Sequence, residues 1–299
     1  MVDVSSAAAP SRPADTAAFA AAHGLLPVGR RPALGVYVRR MWDSRFFLQK
    51  LSYLRYRAQN HEDLLGAGWN LLRPLLSAAV YSLIFGLILH IGAKFGGPKH
   101  RIVFITCGVF VFNYTTSSIT AAARSVVSNL NLVRALPFPR AVLPVSSVVV
   151  DTLSTFPSYI MLCFIGLIVH PPSWAWLAMV PMMVIQLVFN IGIGFFVARF
   201  TVHMRDFAQF LPFILRVWFY LSGVLYTLDG TKTIREHATL RHILELNPPH
   251  IFIAIARNSV MVGRWEPLHD WITAVEWAVG LFVVGFLYFW HAEEIYGRD

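Results

Sequence analysis

Apolar residues in this chain gather in long, nearly unbroken runs. The one-sided stripes of a water-soluble helical fold are not the dominant pattern. Six runs stand out, at residues 71–91, 102–123, 141–169, 174–198, 207–226 and 271–290. A bilayer core of about 30 Å takes about 20 helical residues, so each run predicts a spanning helix. The third carries Pro144 and Pro157, which predicts a kink or a shorter true span. Between the fifth and sixth runs lie two short apolar pieces, 240–246 and 251–262, separated by Asn247, Pro248 and Pro249. Neither is long enough to cross. They predict a helical pair that dips into the outer leaflet and returns, its backbone groups satisfied against the other spans. A pair lying flat on the outer surface fits the same pattern.

The chain before the first run divides in two. Residues 1–35 are rich in Ala, Pro and Ser and lack a sustained apolar stretch, which predicts a disordered cytoplasmic tail. The basic start and apolar centre of a secretory signal are both missing there. Residues 36–68 are basic and aromatic. At helical spacing Phe47, Leu48, Leu51, Leu54 and Ala58 share a face, with Arg45, Gln49, Lys50, Tyr53 and Arg57 opposite. Arg55 and Phe46 break the stripe. Such a helix suits the membrane interface, rings among the headgroups and cations toward phosphate; a cytosolic helix packed on a partner is the alternative. The expected organisation is a tail (1–35), an amphipathic interfacial helix (36–68) and a transmembrane domain (69–299). The fold class is an all-α integral membrane protein with six spans and an outer re-entrant pair.

Composition sharpens this picture. Of 299 residues, 56% are apolar and 14% charged, and the mean hydropathy is +0.57, which excludes a water-soluble enzyme. The two cysteines, Cys107 and Cys163, sit inside apolar runs and exclude a disulfide scaffold. The net charge of +9 reads as cytoplasmic-side cations and contacts with anionic lipid, with no nucleic acid implied. With both termini inside, the cytoplasmic set of Lys and Arg outnumbers the outer set, and the long outer loop supplies most of the contrary charge.

Catalytic chemistry is hard to find. Gly92 to Lys99 is the nearest approach to a Walker A loop, but it lacks the spacing and the Ser/Thr. This chain is therefore expected to hydrolyse no nucleotide and to hold no cofactor. His203, Arg205 and Asp206 have no paired nucleophile and read as structural. His291, Glu293 and Glu294 share one turn and read as a solvated helix end, with no metal expected.

Four stretches carry a family resemblance. Residues 64–89 (LLGAGWNLLRPLLSAAVYSLIFGLIL) look like the opening span of ABC-2-type polysaccharide exporter permeases. Residues 129–151 (NLNLVRALPFPRAVLPVSSVVVD) resemble that family's first cytoplasmic loop, with Phe-Pro-Arg followed by Leu-Pro. Residues 204–226 are similar to its Arg-Asp gateway into the fifth span, and 246–261 to its outer Asn-Pro segment. Ser222-Gly223 stands where the family usually has Ser-Pro, which puts the local bend in question. The exporters of this kind carry O-antigen, teichoic acid or, in mycobacteria, galactan; the Ala-rich tail and high Arg usage look like the last group.

The resemblance implies a homodimer in the bacterial inner membrane, bound to two copies of a separate ATPase that holds the ATP and Mg. Its implied cargo is a polysaccharide on a polyprenyl diphosphate lipid, moved outward. The residues are consistent with this. A diphosphate leaving the interface needs cations, and Arg55, Arg57 and Arg73, with Trp69 beside Arg73, are placed to meet the headgroup; ordinary interface anchoring is the alternative. A glycan conduit should mix rings with hydroxyls, which points to Tyr114, Trp218 and Tyr220, although hydroxyls in spans also join helices. Asp151 and Arg216 both fall about 14–15 Å into their spans, so they are expected to pair across helices or across the dimer. The segment 129–140, apolar at Leu132, Leu136 and Phe138 and stiffened by prolines, is expected to couple to the ATPase with Arg134. Burial under the permease's own helices would explain the same residues. An intramembrane glycosyl- or acyl-transferase, a passive channel, or an exporter of a smaller lipid or drug are the alternatives.

Overall fold

The computed structural model describes residues 32–61, 68–84, 97–136, 138–204, 206–228 and 236–293. All regular structure among them is helical. Helix α1 (Leu34–Asp43) begins inside the segment expected to be tail, and α2 (Arg45–His61) follows after a break at Ser44. Then come α3 (Gly68–Leu83), α4 (Pro98–Arg124), the short α5 (Leu130–Ala135), α6 (Val142–Gly166), α7 (Met179–His203) and α8 (Phe207–Leu221). The chain closes with α9 (Ala238–Glu245), α10 (Pro248–Arg257), a π turn (Asn258–Val262) and α11 (Leu268–His291).

Among the described residues, four helices are long and apolar enough to cross a membrane: Pro98–Arg124, Val142–Gly166, Trp174–His203 and Leu268–His291. Leu71–Leu83 and Phe207–Leu221 are apolar but shorter. The expected first span runs on into residues 85–91, outside the described residues. The expected fifth span stops early for a local reason. At Gly223 the backbone enters the left-handed region (φ +66°), where glycine is at ease and a helix cannot continue. In the third span the two prolines differ. Helix α6 starts at Val142, so Pro144 falls in the first turn, where its missing N–H costs nothing. Pro157 lies in the interior, and the helix ends at Gly166, short of the expected Val169.

Helix α4 is the hub. It packs against α3, α6, α7 and α10, and 78% of its most apolar stretch is buried, against 28% for α11 at the periphery. Helix α11 lies along α7. There Gly192 and Gly285 bring the two backbones together, and a Cβ on Gly285 would collide with the Gly192 carbonyl. Among the described residues the core falls into two large clusters and a small one around Leu228 and Leu244. One large cluster, at the end we call apical, includes Val103, Phe110, Phe189 and Phe252. The other, at the basal end that holds α1 and α2, includes Tyr37, Ile119, Val148, Phe195 and Phe289.

The apolar face of α2 is rotated from the one expected. Phe47, Leu48 and Leu51 turn inward, but Leu54 is 61% exposed and Ala58 is exposed, while Ser52 and Arg55 take the inner positions against α6. Polar sites on α6 and on the turn before α5 draw Arg55 in, so the residue that broke the stripe is the one that fixes the helix's rotation.

Candidate functional site

At the basal end, Arg55 donates to Ser146 Oγ at 2.9 Å, to Ser147 Oγ at 3.4 Å and to Asn129 Oδ1 at 2.8 Å. A cavity of about 240 Å³ opens beside it, lined also by Ser125, Ser128 and Val150. Burial draws the guanidinium pKa below its usual value, and its bonded partners are neutral oxygens. Arg73 instead stands 6.0 Å over the ring of Trp69 on α3, and it is exposed, as is Arg57. Of the four residues expected to meet a headgroup, Arg55 thus forms an inward site, Trp69 and Arg73 pair on α3, and Arg57 lies exposed outside both.

The segment expected to couple to a motor is a short helix with an extended exit. Val133 is buried, Leu132 and Phe138 are half-buried, and Arg134 and Leu136 are exposed, Leu136 by 46%. Phe138 packs on Phe47 of α2 with ring centroids 5.2 Å apart. Burial under the chain's own helices therefore accounts for Phe138, and not for Leu136.

Just past this segment lies a junction that sequence reasoning missed. Tyr37 of α1 donates its hydroxyl to Glu293 Oε2 at 2.8 Å and accepts the Ala141 N–H at 3.1 Å. The Arg140 N–H donates to Glu293 Oε1 at 3.1 Å, and the Arg140 guanidinium reaches the Glu293 carbonyl. Glu293, expected to be solvated, is only 7% exposed. Burial pushes its pKa up, against the opposing pull of the Arg140 N–H and the Tyr37 hydroxyl. His291 is exposed as expected, and Glu294 lies outside the described residues. Nothing in the local pattern around Glu293 signals a partner on α1, 256 residues away.

Midway along the bundle, polar side chains tie α4, α6 and α7. Tyr114 bonds to Thr152 Oγ1 at 2.7 Å and is fully buried. Gln186 of α7 accepts from Tyr159 at 2.9 Å and donates to the Val111 carbonyl and to Thr115 Oγ1. Asp151 accepts from Ser117 at 2.7 Å and from Ser118 at 2.6 Å. The expected ion pair is not formed within the chain. Hydroxyls one helix away satisfy Asp151, and Arg216 is exposed on α8. Equal depth along two spans does not place two residues on facing sides of them.

Toward the apical end, aromatic rings cluster where α3, α4, α7 and α8 meet. Tyr81 stacks on Phe219 at 5.1 Å, and Phe112 meets Trp218 and Phe219 edge-on. Trp218 Nε1 donates to Asn247 Oδ1 at 2.9 Å, tying α8 to the start of α10, while Tyr220 is 48% exposed. Of the three residues expected to line a conduit, Tyr114 is enclosed, Trp218 is half-buried and Tyr220 faces outward. Arg257, in the connection between the fifth and sixth runs, is almost wholly buried. It donates to the carbonyls of Phe104, Gly223 and Val224, and its guanidinium lies 3.3 Å over the Phe104 ring. It supplies the donors that the carbonyls at the broken end of α8 would otherwise lack.

Comparison with known proteins adds to this geometry. A family model described as ABC-2 type transporter matches residues 50–261, from α2 through the π turn. Two proteins of Klebsiella pneumoniae named O-antigen export system permease protein RfbA are each 28% identical over 180 residues, 59% of this chain and 65% of the relative. A protein of the same name from Myxococcus xanthus is 26% identical over 212 residues, 71% of this chain and 78% of the relative. The chain thus spans just under two thirds of the length of the Klebsiella relatives. The family match covers well over half of the chain and takes in the Arg55 site, the 129–140 segment and the apical aromatic cluster; this chain belongs to the ABC-2 type transporter family.

Proposed function

We propose that this chain is the membrane permease of an ATP-driven exporter that moves a polysaccharide, carried on a polyprenyl diphosphate lipid, out of the cytoplasm. The observation that carries the reading is the similarity to O-antigen export permeases, together with the family match over residues 50–261. In this reading the chain is a transport subunit with no catalytic residue of its own. A separate ATPase, two copies per pair of permeases, holds ATP and Mg.

The basal end is cytoplasmic, with both termini inside and the basic helices α1 and α2 at the inner surface of the bacterial inner membrane. Helices α3 and α8, apolar but shorter than the other four, complete the six spans of this reading. Helices α9 and α10 form the outer re-entrant pair. The lipid diphosphate is met first by Trp69, Arg73 and the exposed Arg57. Arg55, whose bonded partners are neutral hydroxyls and an amide, offers it a charge that no carboxylate among the described residues binds. Trp218 and Tyr220 present rings to the sugar chain from α8, and the buried Tyr114 ties α4 to α6 inside the bundle. Leu136 and Arg134 are the exposed points on which the ATPase seats, with Leu132 and Phe138 holding the segment to the bundle. A pair between Asp151 and Arg216 is retained only as a contact between two copies.

The test is to purify the chain with the ATPase that accompanies it and to measure ATP turnover with and without lipid-linked glycan. The reading expects turnover to rise when the glycan is added. Unchanged turnover, with a small lipid or drug raising it instead, would replace the cargo.

A further inference from the structure

The junction of Tyr37, Arg140, Ala141 and Glu293 has a feature that ordinary packing does not require. Helix α6 has no side-chain cap of its own: its N-cap position is Ala141. The amides entering that helix are satisfied by groups from two distant helices, Arg140 N–H by Glu293 and Ala141 N–H by Tyr37. The two amides that lead into α6 are thus held in trans, while the helix's own first amides, of Val142 and Leu143, bond back to the Pro139 and Arg140 carbonyls. Trp290 of α11 also donates to the Pro32 carbonyl at 3.1 Å. Tyr37 is 1% exposed, so the contact lies inside the fold. Neither Tyr37 nor Glu293 lies in the family-matched stretch, yet they hold the chain just where the 129–140 segment becomes α6.

We propose that Tyr37 and Glu293 are positioning residues for transport: they lock the coupling segment, the interfacial helix α1 and the last span α11 into one body. A push on the segment then moves three elements together. This rests on the reading that the 129–140 segment receives the motor. Without the lock, the push would move Arg140 and the start of α6 while α1 and α11 stayed behind. The work of ATP hydrolysis would then be lost in local deformation at the joint.

The experiment uses the full permease–ATPase complex in proteoliposomes, with Tyr37→Phe, Glu293→Gln and, as a separate variant, Leu136→Asp. Both junction variants keep their side-chain shape, and their thermal unfolding reports whether the fold persists. ATP turnover and glycan translocated are measured on the same vesicles. We expect the junction variants to keep turnover within about two-fold while glycan moved per ATP falls about ten-fold, a loss of the size typical of coupling between sites. A second measurement covers a variant too unstable to assay: spin labels at positions 131, exposed on the short helix α5, and 291 in the otherwise unaltered complex. Their separation should stay constant when nucleotide is added, because the two ends of the joint travel together. Turnover and transport falling in proportion, or a label separation that changes with nucleotide, would overturn the proposal. If Leu136→Asp abolishes stimulated turnover but the junction variants transport normally per ATP, this inference alone fails. If Leu136→Asp leaves stimulated turnover intact, the motor seats elsewhere and the underlying reading fails.

Discussion

A single carboxylate, Glu293, shows how burial turns a residue's chemistry around. Written at the end of the last apolar run beside a histidine and another glutamate, it has the sequence signature of a solvated helix end. In the fold it accepts from a phenol and a backbone amide in an enclosed joint, and burial raises its pKa above the ordinary value of 4.5. The sign of the resulting pH dependence is fixed. The folded protein holds the proton more tightly than the unfolded chain, so this contribution to stability is present below pH 4.5 and lost as pH rises through the raised value. Thermal unfolding of the parent and of Glu293→Gln, followed from pH 4 upward, should show the parent's advantage shrinking as pH increases, to within roughly the error expected when a single group titrates. An advantage that grows with pH would mean the carboxylate is stabilised as the anion. Arg257 teaches the same lesson with the opposite charge. It ends an apolar stretch that signals no partner, and the break of α8 at Gly223 creates two of the carbonyls it satisfies.

Helices were the most legible level. Their existence follows from runs of apolar residues, and the second, third, fourth and sixth runs are helices long and apolar enough to span. The boundaries are less legible: α4 opens at Pro98, ahead of the apolar run that begins at residue 102, at a position where the proline's missing N–H is harmless. They are harder to read where the signal depends on neighbours. The glycine at 223 was read only as a departure from a family pattern, and its left-handed conformation sets the end of α8. The rotation of α2 was misread because a stripe of leucines outweighs one arginine in any periodicity count, whereas the hydrogen bonds of Arg55 decide the facing side. Close helix crossings carry a weaker signal still. The pairing of Gly192 with Gly285 is invisible until α7 and α11 lie side by side. Gly285→Ala should therefore destabilise the protein by about 1–3 kcal/mol through overpacking against the Gly192 carbonyl. Thermal unfolding in detergent checks this, with Gly280→Ala, which meets open space, as the neutral control.

At the scale of the whole molecule, the chain places a charged, hydroxyl-lined site and an exposed Leu136 at one end and an aromatic cluster with a twice-broken helical pair at the other. The helices between them leave much apolar surface uncovered: two thirds of the most apolar stretch of α6 is not buried within the chain. On α8, Phe210, Phe213 and Tyr220 turn outward while Leu211, Leu215 and Phe219 turn in. Lipid and a second copy would both cover such faces, and a conduit shared by two copies would give Tyr220 and Arg216 an interior to face. In the proposed function the 129–140 segment and the joint at the start of α6 are the handle at the basal end, and movement of the glycan is driven from outside the chain. The most direct measurement is translocation of a lipid-linked glycan in proteoliposomes holding the permease alone, the permease with its ATPase, and both with hydrolysable ATP. Glycan should reach the far side only in the third case. Equal movement with the permease alone, at any ATP concentration, would contradict the account.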